Sequence, residues 1–342
     1  MSGFPCPARF RTDRYSGGRG AATCRREGVT ESQERAETRT APTTPAGNQM
    51  PVAIGLVGAG RGASEAYAPA LAACVDVRFL GVWARSSAPA RSLAEHYGAQ
   101  TYQRYSDMLD DCDSVVFAVP PAVQTELGTA AAHRGKAVLL NEPIGGDLAG
   151  AEQLAKAVTA AGVVSQLALA WRYTPAARHF LTVEAPKTWP KGGTGRVVSG
   201  VLSAGQSIST WRRRRGVLLD QGGDLVDLLE AALGQALTVR AHGDPQGWVG
   251  LLLEHEGGRF SEASLYGTAS PDATHSEVEV FGAGGSAVVD CAAAVGPDTF
   301  QTMIQEFAAA VESGRPHDLD VRHGLHLQYV LDAADTELLR RS

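Results

Sequence analysis

From residue 52 onward, short apolar runs alternate with stretches of helical spacing. Val52-Ala53-Ile54-Gly55-Leu56-Val57 is nearly all apolar, the pattern of a strand buried on both faces of a parallel sheet. Similar runs at 77–84, 114–120, 136–141 and 163–170 read as strands, and 63–74, 86–97, 123–134 and 148–161 read as helices. Strict alternation of this kind implies right-handed crossovers and a doubly wound α/β sheet. After about residue 172 the pattern changes. One strong helix over 216–233 precedes β-rich runs at 235–242, 248–255, 259–267, 275–282 and 286–291, with Gly- or Pro-bearing turns between them. Such short connections suit hairpins, so an α+β unit is expected: a mainly antiparallel sheet with helices on one face. Helices over 299–313 and 320–340 close the chain.

Residues 1–50 carry no apolar periodicity and are rich in Arg, Gly, Ser, Thr and Pro. They read as a disordered tail, with Met50 as an alternative start, because such a segment buries too little surface to offset its chain entropy. Arg25-Arg26 resembles the start of an export signal, yet Glu27, Glu31 and Glu34 follow where an apolar region would be needed. The tail holds eight arginines against five acids, so of the chain's 31 bases and 37 acids the remainder keeps 23 and 32. So acidic a remainder is a poor match for nucleic acid, whose binders need a dense basic face. No run reaches the ~18 apolar residues of a membrane span. Five cysteines without C-x-x-C spacing give neither a zinc cluster nor a disulfide framework, so a cytoplasmic protein is expected. Only four lysines occur, at 136, 156, 187 and 191.

The first strand runs into Gly58-Ala59-Gly60-Arg61-Gly62-Ala63 and then a helix. In G-x-G-x-x-A the first glycine permits a tight turn and the second lets backbone approach a pyrophosphate. The small last residue lets helix and strand pack closely, and the helix N-terminus favours the anion. Dinucleotide binding is therefore expected over 51–171, leaving 172–342 for substrate and oligomerisation, with the last helix free to pack back on the first unit. A strand ending in Asp or Glu would hold the ribose hydroxyls of NAD; here it ends in Ala84-Arg85-Ser86-Ser87. Arg85 can pair with a 2'-phosphate that an acid would repel, so NADP is favoured over NAD. The bland alternative leaves Arg85 solvated or stacked on adenine.

These residues, with Val119-Pro120-Pro121, Gly135 to Leu140 leading into Asn141-Glu142-Pro143, Trp171-Arg172-Tyr173 with Pro175, and Gly216 to Asp227, resemble the Gfo/Idh/MocA oxidoreductases over about residues 51–342. The resemblance implies hydride transfer between nicotinamide and a small polar substrate, with Arg61, Pro120, Asn141, Glu142 and Arg172 near the cofactor. It implies, too, a homodimer or homotetramer formed through the C-terminal sheet. Two departures stand out. Where the family reads Glu-Lys-Pro this chain has Asn141-Glu142-Pro143, and where the family's helix carries a catalytic histidine it has Asp224.

Asp220, Asp224 and Asp227 are spaced to share one helix face. Two carboxylates a turn apart cannot both ionise cheaply, so one can hold a proton near neutrality. Asp220 and Asp224 are thus the candidate acid/base pair, with Glu142 setting the local field. In the alternative, Asp227 bonds to backbone, Asp224 is solvated and no proton moves. A carboxylate beside nicotinamide disfavours an alkoxide and favours a cationic substrate, which points to an imine or amino-bearing compound as well as a sugar. Arg212 to Arg215 need counter-charges from cofactor, substrate or the chain's own acids, unless they form a solvated loop. His133, His323 and His326 match no motif, and no metal site is expected. Two other activities fit the same departures: a cofactor-binding regulator or partner subunit without hydride turnover, and a redox-neutral lyase or hydrolase that retains NADP.

Overall fold

The structure, a computed structural model, describes residues 8–9, 50–203, 210–270, 273–291 and 293–340. Within the segment expected to be disordered, β1 (Ala8–Arg9) is a short strand on the edge of β9 (Ala236–Gly243), where unpaired backbone groups accept an added strand. The rest of that expectation lies outside the described residues, apart from Met50.

Six parallel strands form the first sheet: β2 (Val52–Val57), β3 (Val77–Trp83), β4 (Gln100–Thr101), β5 (Ser114–Phe117), β6 (Ala137–Leu140) and β7 (Ser165–Leu167), in the order β4-β3-β2-β5-β6-β7. Helices α1 (Ala68–Ala73), α2 (Ser87–His96), α3 (Tyr105–Asp111), α4 (Pro121–His133) and α5 (Leu148–Ala161) connect them. Leu56, Val115, Val116, Val138 and Leu139 are wholly buried, as expected of strands covered on both faces. The order reverses direction between β2 and β5, and this opens a crevice beyond the strands' C-terminal ends. The run expected as strand over 163–170 is shorter than that. Tyr173 is buried and its hydroxyl donates to the Leu167 carbonyl at 2.7 Å, folding Ala170–Tyr173 into a 3-10 turn that ends the strand. The helical stretch of α6 (Pro175–His179), the wide turn Phe180–Glu184 and α7 (Ala185–Thr188) has no counterpart in the sequence reading, nor do α3 and β4.

The second sheet has the order β1-β9-β10-β11-β8-β12-β13, with β8 (Pro190–Val198), β10 (Trp248–His255), β11 (Arg259–Tyr266), β12 (His275–Gly282) and β13 (Gly285–Asp290). Every neighbouring pair is antiparallel except β11 with β8. Helix α8 (Thr210–Leu233) breaks at Gly216, whose φ of 73° suits glycine. Beyond that break it packs on the inner face, where Val239, Leu253, Leu265, Val278 and Val280 are wholly buried. Helices α9 (Pro297–Ser313) and α10 (Val321–Leu339) follow. Helix α10 lies against both sheets' elements: Tyr329 donates to Glu152 of α5 at 2.6 Å, and Glu337 accepts from Arg240 of β9 at 3.0 Å.

Candidate active site

The turn after β2 is shaped for a ligand. Gly58 has φ 120°, and a Cβ there would lie 2.3 Å from the Ala118 carbonyl oxygen, so only glycine fits between the ends of β2 and β5. Nothing lies within 4 Å of a Cβ placed at Gly60 or Gly62, so the backbone is open to a close approach. Ala63 is wholly buried at the start of the helical segment Ala63–Tyr67. Arg61 points outward and pairs with Glu65 at 2.8 Å. Arg85 and Ser86 are exposed just past β3, and Pro120 precedes α4 past β5. The expected phosphate and ribose residues therefore sit along one edge of the sheet, around a cradle that fits a dinucleotide.

The loop after β6 closes the other end of this edge. Gln124, wholly buried, clamps it: its amide donates to the Asn141 carbonyl at 2.8 Å and its oxygen accepts from the Asn141 N–H at 2.9 Å. The Asn141 side chain accepts from the Tyr67 hydroxyl and donates to the Phe117 carbonyl. Glu142, next along, turns toward α8 and α10. It passes Gly223 and reaches Gly324, where a Cβ would come within 2.6 Å of Oε1. The residue keeps some exposed surface, but both carboxylate oxygens are enclosed and make no hydrogen bond of ordinary geometry, with only the Ile144 N–H near enough to favour the charge. Burial first, then the charges of Asp224 and Asp227, push its pKa well above the usual range.

On α8 the three aspartates differ. Asp224 faces the backbone N–H groups of Trp171 and Ala170, which stabilise its charge, but burial and the neighbouring Asp227 and Asp220 prevail and raise its pKa to about 7. Its Oδ1 is enclosed and unpartnered. Asp227 accepts from Arg172 at 2.8 Å and from His323 Nε2 at 2.6 Å, both on Oδ1, and its Oδ2 has no partner. The arrangement with Asp224 solvated and Asp227 bonded to backbone is thus not adopted, because side chains from two other elements converge on Asp227. Arg172, expected at the cofactor, is held by Asp227. His323, to which the sequence reading gave no role, belongs to this cluster. Although burial opposes it, the bond to Asp227 raises its pKa. Only its place in the first turn of the last helix hinted at such a position.

Arg215 donates to the Gly146 carbonyl and faces Asp332 and Asp335 of α10, so the chain's own groups answer this charge. The side chains of Arg212 and Arg214 lie outside the described residues. Cys291 is buried, unbonded to another cysteine, and close enough to Asp224 to feel its charge. Among the described residues, no helix is long and apolar enough to cross a membrane.

A parallel sheet of this order, with a glycine turn after its first strand, defines a Rossmann-type fold, here followed by a mixed sheet. Residues 52–169 match the family described as "Oxidoreductase family, NAD-binding Rossmann fold". A curated relative, dTDP-3,4-didehydro-2,6-dideoxy-alpha-D-glucose 3-reductase of Streptomyces antibioticus, is 32% identical over 113 residues, covering 32% of this chain and 34% of the relative. The chain therefore matches about a third of that protein's length. The structure of GenD2 from gentamicin A biosynthesis in complex with NAD has a TM-score of 0.73 at 19% identity, over 88% of this chain and 98% of the other. Scyllo-inositol dehydrogenase from Lactobacillus casei, with bound NAD(H) and scyllo-inositol, has a TM-score of 0.75 at 17% identity, over 85% and 98%. At such identities the likeness to solved structures is one of fold.

Proposed function

We propose that the chain transfers hydride between NADP and a small sugar- or cyclitol-like substrate that carries an amine or imine. The observation that supports this reading most is the inverted charge of the site: Glu142 and Asp224 stand where the family's lysine and histidine would be, and three of their carboxylate oxygens are enclosed without a donor. A cation offsets such a cluster, whereas an alkoxide developing beside it is disfavoured. The sugar-like substrate is suggested by the relatives' named activities. NADP is supported by exposed Arg85 at the end of β3 with no acid beside it.

In this reading residues 51–171 hold the cofactor through Gly58, Gly60, Gly62, Ala63, Arg85, Ser86, Pro120 and Asn141, and 172–342 present the substrate groups. Bound nicotinamide supplies the hydride acceptor or donor. The protein's own work is to orient the substrate and to hold its proton on Asp224, with Asp220 and Glu142 setting how tightly that proton is held. The protein works in the cytoplasm. Its outer sheet face, with Trp248, Leu252, Phe260, Tyr266 and Phe281 exposed, suits pairing with a second copy. The test is a panel of neutral sugars, amino sugars and cyclic imines, followed by the absorbance of NADPH: turnover of the nitrogen-bearing compounds is expected, and turnover confined to neutral sugars refutes it.

A second reading is favoured by the sealing of both Glu142 oxygens, which keeps them from touching a substrate. The chain would then bind the dinucleotide as a regulator, giving saturable cofactor titration with no turnover on any member of the panel.

A further inference from the structure

We propose that the enclosed carboxylates of Glu142, Asp224 and Asp227 make the nicotinamide end of the cleft read the charge of its cofactor. Oxidised cofactor is bound with release of a proton from this cluster, and reduced cofactor with the proton kept. The inference rests on reading the cleft as a nicotinamide site and goes beyond it by giving these residues the choice between redox states.

Position carries the first part. In a sheet of this order a dinucleotide crosses the C-terminal ends of the strands, with its two halves on either side of the switch point between β2 and β5. The glycine turn and Arg85 mark the β2–β3 side. The other half then lies over the ends of β5 and β6, where Asn141 and Glu142 directly follow Leu140. Asp224 borders the same place from α8, close to Tyr67 and to the turn at Ala170 and Trp171.

The balance of charge carries the second part. Among the described residues, four enclosed carboxylate oxygens make no hydrogen bond of ordinary geometry: Glu142 Oε1 and Oε2, Asp224 Oδ1 and Asp227 Oδ2; the Ile144 N–H offers Glu142 only weak relief against its burial. Among the described residues, the cations that face them are Arg172 and His323, and both are engaged by Oδ1 of Asp227. The other titratable neighbours add no positive charge. Asp220 and Glu230 are acids on α8, the Tyr67 hydroxyl donates a hydrogen bond to Asn141, and the Cys291 thiol is pushed by burial and by nearby acids up to about 12. Like-charged carboxylates this close and this dry keep a proton among them. Facing an oxidised nicotinamide, which is a cation, the carboxylates would hold their charge and give up that proton; facing the neutral reduced ring they would keep it. During oxidation of a substrate the carbon-bound hydride carries both electrons to the ring, and the proton lost from the substrate O–H or N–H takes up the place vacated on the cluster.

Calorimetric titrations of the full chain with NADP and with NADPH, each in two buffers of different ionisation enthalpy, measure the protons exchanged on binding. The adenosine phosphates are common to both forms, so the difference between them isolates the ring. Below the pH of about 7 set by Asp224, NADP is expected to release close to one proton, and its Kd to rise by up to about tenfold per unit of further acidification. The Kd of NADPH is expected to stay flat. D224N and E142Q are each expected to reduce the release and flatten the NADP curve, and the wild-type comparison stands even where a variant does not fold. Tight binding of both forms with equal release, or with none, overturns the inference and leaves the oxidoreductase reading intact. Binding of neither form, or of NAD and NADH in a parallel titration, overturns both.

Discussion

Asp227→Asn removes one charge while keeping the shape of a side chain that is 1% exposed. Its partners Arg172 and His323 are each 23% exposed, so they lose their counter-charge while only partly wetted. Breaking a buried pair by removing one partner costs about 3–5 kcal/mol, and the partial exposure of both cations brings this to roughly 2–4 kcal/mol. Asp224 gains in return, since a repulsive neighbour is gone. One pKa unit of relief there offsets about 1.4 kcal/mol, leaving a net loss of roughly 1–3 kcal/mol near neutrality. The pH dependence is the sharper signature. In the wild type the His323 pKa lies above its unfolded value of 6.5, so its contribution is complete below that pH and is lost as pH rises through the raised value. In D227N burial and Arg172 are opposed only by the weaker pull of Glu230 and lower the pKa, so the contribution changes sign and the variant gains stability as pH rises toward 6.5. The gap between the two proteins should be widest below about pH 6.5 and narrow above it. Urea unfolding across pH, with the His323 ring followed by NMR, measures both quantities. An equal gap at every pH, with an unmoved imidazole titration, refutes the pairing.

Gly58→Ala places a Cβ 2.3 Å from the Ala118 carbonyl at φ 120°; it should cost about 1–3 kcal/mol in thermal unfolding and abolish cofactor binding in a fluorescence titration. Arg85→Ala should weaken NADPH by about tenfold or more while leaving NADH within about twofold, as expected for loss of a charge-assisted phosphate contact, and Kd values for the two cofactors check it. Glu142→Lys introduces the cation that the Gfo/Idh/MocA pattern resembled here carries at this position, within the field of Asp224 and Asp227; steady-state assays should show neutral sugar alcohols gaining turnover and nitrogen-bearing substrates losing it.

Much of the architecture is legible in the chain because its physical cause is local. Double burial makes β2, β5 and β6 continuous apolar runs, and the break at Gly216 is written as a glycine at the head of the α8 motif. Strand β8 is not legible. Pro190-Lys191-Gly192-Gly193-Thr194-Gly195 has three glycines where a strand normally shows β-branched residues. The cause is tertiary: a Cβ at Gly195 would lie 2.7 Å from Leu225, and one at Gly192 would lie 2.8 Å from the Phe281 ring. Helix α8 and an aromatic ring thus occupy the volume that side chains would have filled. At the site, Glu142 and Asp224 stand out as departures from a known pattern, and Asp220 as a match to it. His323 does not, since 96 residues separate it from Asp227 and no spacing rule connects α10 with α8.

The same geometry weighs against simple decay of an ordinary dehydrogenase site. A chain that had merely lost its lysine and histidine would be most stable with small or apolar residues there, because an enclosed carboxylate without a partner costs several kcal/mol to keep charged. Glu142 and Asp224 bear that cost, which makes sense if a cationic ligand offsets it. The cost is measurable in Glu142→Gln. Since the folded pKa of Glu142 is raised above its ordinary 4.5, the wild type loses stability as pH climbs from 4.5 through the raised value, and the glutamine variant does not. The variant should therefore be the more stable protein above that pH, by about 1–3 kcal/mol near neutrality, and should gain less thermal stability than the wild type when an amino sugar or oxidised cofactor is added. If Glu142→Gln is instead destabilised at every pH, the carboxylate is bound by the protein itself, and the argument for a cationic ligand falls.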